Sequence, residues 1–177
     1  MNILEDLGLK YKTDKIGKHN YLPVYYDLFK DRRNEVKKVL EIGIAEGSSL
    51  YMWRDFFPKA TIYGADNLPQ RVANLTGLDR IQLYLVDQSN DLQLRELIKQ
   101  TGEDLDLVID DGSHVPEHQF FTLNQLSPYL DEDCVYVIED VADPSVFEKI
   151  KRLPGGWDCK LVRVGKRYDD QLIICQK

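Results

Sequence analysis

The chain has 177 residues, room for a domain with a sizeable core. Its 43% hydrophobic and 30% charged residues are ordinary for a globular protein, and no apolar run nears the roughly 20 residues that span a bilayer, so no membrane partner is expected. A net charge of −7 argues against nucleic acid as partner, because binding phosphates needs a basic face, and the one basic cluster (Lys10, Lys12, Lys15, Lys18, His19) is short and broken by Asp14.

The N-terminus, Met1-Asn-Ile-Leu-Glu-Asp, lacks a basic stretch followed by an apolar one, so no signal peptide is expected and the protein reads as cytoplasmic. Cys134, Cys159 and Cys175 lie in apolar strand-like runs, an odd count without metal spacing; they read as reduced core thiols.

Residues 1–9 suggest a short helix, followed by a polar loop over 10–20. Tyr21–Arg33 has helical apolar spacing, with Pro23 in its first turn and Asn20 as its cap. From residue 37 the chain alternates regularly. Strands are expected at 39–42, 60–65, 81–86, 105–109 and 135–138. Helices follow at 48–57, 69–75, 92–100, within 116–130, and at 144–151. The strands are continuous apolar runs, as in a parallel sheet covered on both faces, and repeated βαβ units mean a doubly wound α/β domain. The runs 157–164 and 171–175 are joined by the short polar link 165–170, which predicts an antiparallel C-terminal hairpin. No repeat, low-complexity tract or linker marks a second domain. Residues 1–36 read as an N-terminal helical lid, and 37–177 as the cofactor-binding core of one domain.

Ligands of such sheets bind at the carboxyl ends of the strands. All five parallel strands deliver carboxylates there. The first ends in Glu41 and the turn Gly43-Ile-Ala45-Glu-Gly47-Ser48, the second in Asp66-Asn67, the third in Asp87-Gln88, the fourth in Asp110-Asp111 with His114 beyond, and the fifth in Glu139-Asp140. An acid after the second strand can accept both hydroxyls of a ribose, which singles out Asp66; Asp87 lies where an adenine amine would fall. Either acid could instead cap a helix. The turn lacks the Gly-x-Gly-x-x-Gly pyrophosphate pattern, and Glu46 beside it would repel a pyrophosphate. A cationic cofactor with an amino-acid tail suits the acidic edge better.

These residues resemble a known family. Glu41-x-Gly43-x-x-x-Gly47 is similar to the first motif of class I S-adenosyl-L-methionine (SAM)-dependent methyltransferases, and the five strands plus hairpin look like their seven-stranded sheet, order 3-2-1-4-5-7-6. The resemblance covers 37–177. Asp110-Asp111-Gly-Ser-His114 and Ile138-Glu139-Asp140-Val141 resemble the Mg²⁺-dependent macrolide-sugar O-methyltransferases and the related cephalosporin hydroxylase family. That likeness implies Mg²⁺ held by Asp111, Glu139 and Asp140, and His114 as general base. Thr13-Asp-Lys15 through Tyr21 looks like the N-terminal signature of those relatives, which folds toward the cofactor; it implies cofactor contacts from Thr13 and Lys15, beside those of Glu41, Gly43, Ala45, Gly47, Ser48, Asp66, Asn67, Asp87, Gln88 and Asp110. The implied activity is O-methylation of a sugar-like small molecule in natural-product biosynthesis, with a homo-oligomer left open. These 177 residues lack the long N-terminal region and much of the acceptor-covering insertions of the macrolide enzymes.

The chemistry can be read without the family. Three carboxylates at neighbouring strand ends form a hard-oxygen site suited to Mg²⁺. A metal lowers the pKa of a hydroxyl and an imidazole removes its proton. Adjacent strand residues point to opposite faces, so Asp110 and Asp111 cannot share a role in a regular strand, and the chain must turn for Glu139 and Asp140 to reach one ion. Metal-independent methyl transfer, with the acids only ordering loops, and SAM binding without catalysis are the alternatives. Iron-dependent hydroxylation is disfavoured, because no two-histidine, one-carboxylate spacing is visible.

Overall fold

The computed structural model describes residues 1–75 and 79–177. Two helices, α1 (Ile3–Tyr11) and α2 (Leu22–Phe29), precede the sheet. The strands are β1 (Lys38–Ile42), β2 (Thr61–Asp66), β3 (Ile81–Leu85), β4 (Leu107–Asp110), β5 (Val135–Ile138), β6 (Asp158–Arg163) and β7 (Gln171–Gln176). Between them lie α3 (Ser48–Phe56), α4 (Pro69–Asn74), α5 (Asp91–Thr101), α6 (Pro116–Leu126), a 3₁₀ turn (Ser127–Tyr129) and α7 (Ser145–Ile150). The sheet order is β3-β2-β1-β4-β5-β7-β6, with β1 to β5 parallel and β7 antiparallel to both β5 and β6. The expected α/β sheet with its closing hairpin is borne out.

Strand parity builds two cores. Val39, Ile62, Ile109 and Val137 face α1, α2 and α3, where Leu4, Tyr25, Trp53 and Phe56 are buried. Leu40, Val108, Tyr136 and Ile138 face the other way, against Leu94, Leu97, Leu123 and Val146 of α5 to α7. With both faces covered, every residue of β4 and β5 is buried, which is why these strands read as unbroken apolar runs.

Helix starts obey local chemistry. Asn2 caps α1, its side chain accepting from Leu4 N and Glu5 N, and Glu5 returns a bond to the Asn2 amide. Asn20 does not cap α2: that position is Tyr21, in helical geometry and without a side-chain cap, and Pro23 sits in the first turn as expected. The cysteine expectation is corrected. Cys159 and Cys175 stand opposite each other in the β6–β7 register and form a disulfide; only Cys134 is a free, buried thiol. No described helix is long and apolar enough to cross a membrane.

Candidate functional site

The turn after β1 needs left-handed backbone at Gly43 (φ 86°), Ala45 (φ 43°) and Gly47 (φ 77°). Asp66, at the end of β2, pins it: Oδ2 accepts from Ile44 N at 3.1 Å and from Arg71 Nη1 at 3.2 Å, and Oδ1 accepts from Leu68 N at 2.9 Å. Glu41 lies beneath the turn, fully buried, accepting from Ser49 Oγ at 2.7 Å. Beyond β3, Asp87 Oδ1 closes a turn by accepting from Ser89 Oγ and Ser89 N, and these hydrogen bonds, the hydroxyl's first, lower its pKa. The buried Gln88 side chain bridges strands, donating to Asp110 Oδ1 at 3.0 Å and accepting from Ser113 N at 2.6 Å.

Beyond β4 and β5 the acids separate by parity, as alternation requires. Asp110 points toward α5 and α6, where burial pushes its carboxyl up to about 7. Asp111 points toward the N-terminal helices. Its Oδ2 accepts from Lys15 Nζ at 2.7 Å, and its Oδ1 lies 3.2 Å from His114 Nε2. Glu139 shares that face; Oε2 accepts from Lys15 Nζ at 2.7 Å and Oε1 from the Tyr25 hydroxyl at 2.6 Å. Burial pushes the Glu139 carboxyl up, the neighbouring Asp111 charge adds to the rise, and the Lys15 ammonium and Tyr25 hydroxyl oppose it. Asp140 escapes its strand parity because the backbone turns left-handed there (φ 51°). Its Oδ1 takes the Tyr21 hydroxyl, and its Oδ2 lies 3.7 Å from His114 Nδ1.

His114 is itself left-handed (φ 57°), which aims its ring back at both aspartates. The hydrogen bond to Asp111 raises its pKa to about 9 against the opposing effect of burial, with Asp140 adding to the rise. Asp111, His114 and Asp140 each offer a ligand atom within 4.8 Å of the others. Two carboxylates with oxygens turned to the cleft suit a hard divalent cation. His19, Asp169 and Asp170 meet the same spacing, but there Asp170 accepts from His19 at 2.9 Å, tying the N-terminal loop to the β6–β7 hairpin, and Asp169 accepts from Arg167 at 3.1 Å within the hairpin link.

A cleft of about 550 Å³ runs over these strand ends. Of the residues expected from sequence, Thr13, Gly43, Ala45, Ser48, Asp66 and Asn67 line it, as do Asp87, Gln88, Asp111, His114 and Asp140. Glu41, Lys15, Asp110 and Glu139 are buried beneath its floor and do not line it; Gly47 faces Leu75 instead. Lys15 in particular meets carboxylates in the protein interior, at 1% exposure. The cleft also takes in Arg71, Ser113 and His118. Tyr21 and Tyr25, which hold Asp140 and Glu139, had no distinguishing signal among ten tyrosines.

A family model described as a methyltransferase domain matches residues 40–141, more than half of the chain. Demethylmacrocin O-methyltransferase of Streptomyces fradiae is 38% identical over 146 residues, covering 78% of this chain and 36% of the relative. Mycinamicin VI 2''-O-methyltransferase of Micromonospora griseorubida is 33% identical over 147 residues, covering 78% of this chain and 36% of the relative. Among solved structures, MycE methyltransferase from the mycinamycin biosynthetic pathway, in complex with Mg, SAH and mycinamycin VI, superposes with a TM-score of 0.81 at 30% identity. That match takes in 99% of this chain and 53% of the solved one. The chain thus spans little more than a third of these curated relatives and about half of the solved one.

Proposed function

The chain belongs to the methyltransferase-domain family, and from that premise we propose that it is a SAM-dependent O-methyltransferase, assisted by Mg²⁺, acting on a hydroxyl of a sugar or glycosylated small molecule. The observation that carries this reading is the convergence of Asp111, His114 and Asp140 on one point of the cleft, directly beside the glycine turn. Two relatives are named for O-methylation of mycinamicin VI and of demethylmacrocin, which supports the acceptor class. MycE, bound to Mg and SAH, supports the cofactors.

When bound, SAM supplies an electrophilic methyl on a sulfonium, and a divalent cation supplies Lewis acidity at the acceptor oxygen. The remaining work falls to side chains. Asp66 is oriented by the Ile44 and Leu68 amides to accept from ribose hydroxyls, with Asn67 beside it. Asp87 and Gln88 form the adenine end, and the 43–48 turn with Thr13 encloses the amino-acid tail. Asp111 and Asp140 would hold the cation from the cleft, while Glu139, the third carboxylate that the family likeness implies, is turned to Lys15 and would back them. His114 removes the acceptor proton at one of its ring nitrogens and must be neutral to do so. Holding both reactants in line across one cleft lowers the entropic part of the barrier. Residues 1–36 act as a lid on a core formed by 37–177, and the protein works in the cytoplasm in natural-product assembly.

The test is calorimetric titration of SAH, followed by methyl transfer to glycosylated macrolide acceptors with Mg²⁺ or EDTA. Micromolar SAH binding with EDTA-sensitive turnover is expected. Absence of SAH binding overturns the reading. Turnover indifferent to EDTA favours the metal-independent alternative, and SAH binding without turnover on any hydroxylated acceptor favours a binding module.

A further inference from the structure

Parity puts Glu41, Asp111 and Glu139 on one face of the sheet, the face that α1 and α2 cover. Glu41 pairs in register with Ile109, and Ile109 with Val137, so Asp111 and Glu139 stand side by side one pleat beyond Glu41. Burying three such carboxylates without compensation is prohibitive. One ammonium answers all three: Lys15 Nζ lies 2.7 Å from Asp111, 2.7 Å from Glu139 and 3.1 Å from Glu41. Lys15 is 1% exposed, yet these neighbours hold it well above its ordinary pKa against the downward push of burial. Asp111 is shared, its Oδ2 on Lys15 and its Oδ1 turned to His114 and the cleft.

We propose that Lys15 is a positioning residue for the metal side of the site: its ammonium is a resident cation that fixes the Glu41–Asp111–Glu139 layer and holds down the affinity of the adjoining Asp111–Asp140 pair for a divalent cation. The inference rests on the metal reading above. A cation entering at Asp111 Oδ1 meets a positive charge already seated on the other oxygen of the same carboxylate. Repulsion across a few ångströms of protein is large even when screened. In its absence the layer has one more uncompensated negative charge, and divalent binding tightens. Lys15 therefore lets the loops hold their shape with the metal absent, and keeps the metal exchangeable.

The experiment uses the full chain, the variants Lys15→Met and Lys15→Met/Glu41→Gln, and Mg²⁺ alone as probe, read by thermal melting and by calorimetric Mg²⁺ affinity. Metal-free Lys15→Met is expected to melt roughly 10 °C below wild type. Saturating Mg²⁺ should recover most of that gap, and the Mg²⁺ dissociation constant should fall roughly tenfold. The double variant removes one buried negative charge with the positive one, so it should melt above the single variant and bind Mg²⁺ more weakly than it. If Lys15→Met loses the same stability with and without Mg²⁺, or binds Mg²⁺ no tighter than wild type, Lys15 is an ordinary structural ion pair and the proposal is overturned. If Lys15→Met does not fold, the double variant decides: a folded double variant that binds Mg²⁺ more tightly than wild type supports the proposal, and one that binds it no more tightly, or does not fold, overturns it. A wild type whose melting ignores Mg²⁺ refutes the metal reading itself, whereas a responsive wild type matched by an equally responsive Lys15→Met refutes only the role given to Lys15.

Discussion

Gly43 lies flat against the backbone of Asp111: a Cβ added at Gly43 would stand 2.0 Å from the Asp111 carbonyl oxygen and 2.7 Å from the Gly112 Cα. The turn that would hold the cofactor and the loop that would activate the acceptor therefore touch through a bare Cα. Neither backbone can yield, since Asp111 N donates to Ile42 O at 2.8 Å and Gly43 N to Ala65 O at 2.8 Å. Gly43→Ala combines this clash with a left-handed φ of 86°. It is expected to cost about 2–4 kcal/mol of stability, from strain and from overpacking, and to weaken SAH binding at least roughly tenfold, the equivalent of one 1.4 kcal/mol step. Gly17→Ala is the control. Its φ is 89°, but nothing lies within 4 Å of the added Cβ, so only the strain should appear and SAH affinity should hold. Equal SAH affinities in wild type and Gly43→Ala would mean that the two loops adjust independently.

His114 sets the pH response. Its folded pKa of about 9 lies above the ordinary 6.5, so the protonated ring stabilises the metal-free protein. That contribution is fully present below pH 6.5 and is lost as pH rises through about 9. Replacing His114 by Asn should flatten this part of the stability–pH profile, measured as melting temperature from pH 6 to 10. The same shift means that the free base is scarce at neutral pH until positive charge arrives at Asp111 and Asp140. Mg²⁺ should therefore lower the His114 pKa, visible in imidazole NMR titrations. An unchanged pKa would show that the ion does not sit beside this ring. His114→Ala should reduce turnover about 10²–10⁴-fold with SAH affinity nearly unchanged.

Much of this was legible in sequence, and the reasons are physical. Period-two alternation in a parallel sheet buried on both faces gave the strands, and the same alternation separated Asp110 from Asp111. The need for a turn between Glu139 and Asp140 was readable too, and it appears as a left-handed Asp140. What sequence could not show is where a loop outside the sheet delivers its side chains. In sequence Lys15 is one member of a short basic cluster, and the family likeness implies that it meets the cofactor; its burial among carboxylates follows from the path of residues 12–21 beneath the strand ends. The Cys159–Cys175 bond was hidden because it depends on the register of β6 against β7, which a polar link of uncertain geometry does not specify.

Asp66 joins ligand and scaffold roles, so its variants should separate them. Asp66→Ala removes the acceptor of the Ile44 and Leu68 amides as well as the carboxylate proposed to meet ribose. A loss of about 1–3 kcal/mol of stability is expected from the unpaired amides, together with weaker SAH binding. Asp66→Asn retains one acceptor oxygen and the shape, so it should recover stability more than affinity. Mg²⁺ dependence should be unaffected in both, because Asp66 ends β2, two strands away from β4 in the sheet order. If Asp66→Asn restores both quantities together, the carboxylate is a turn cap and not a ribose acceptor.

The hairpin that closes the sheet gives the last test. The Cys159–Cys175 bond links residues 16 apart in sequence and joins β6 to β7 at the edge of the sheet. Closing a loop of that length restricts the unfolded chain by about 3 kcal/mol. A strong reductant, or the Cys159→Ala/Cys175→Ala pair, should therefore lower the melting temperature by roughly 6–12 °C at this chain length. The cleft should tolerate the loss, since neither cysteine lines it. However, Asp169 and Asp170, just before β7, anchor the N-terminal loop through His19 and the Tyr21 hydroxyl. If loosening the hairpin frees that loop, reduction will weaken SAH binding as well as stability. Unchanged SAH affinity alongside a lowered melting temperature would instead show that the His19–Asp170 and Tyr21–Asp169 contacts hold the loop without help from the disulfide.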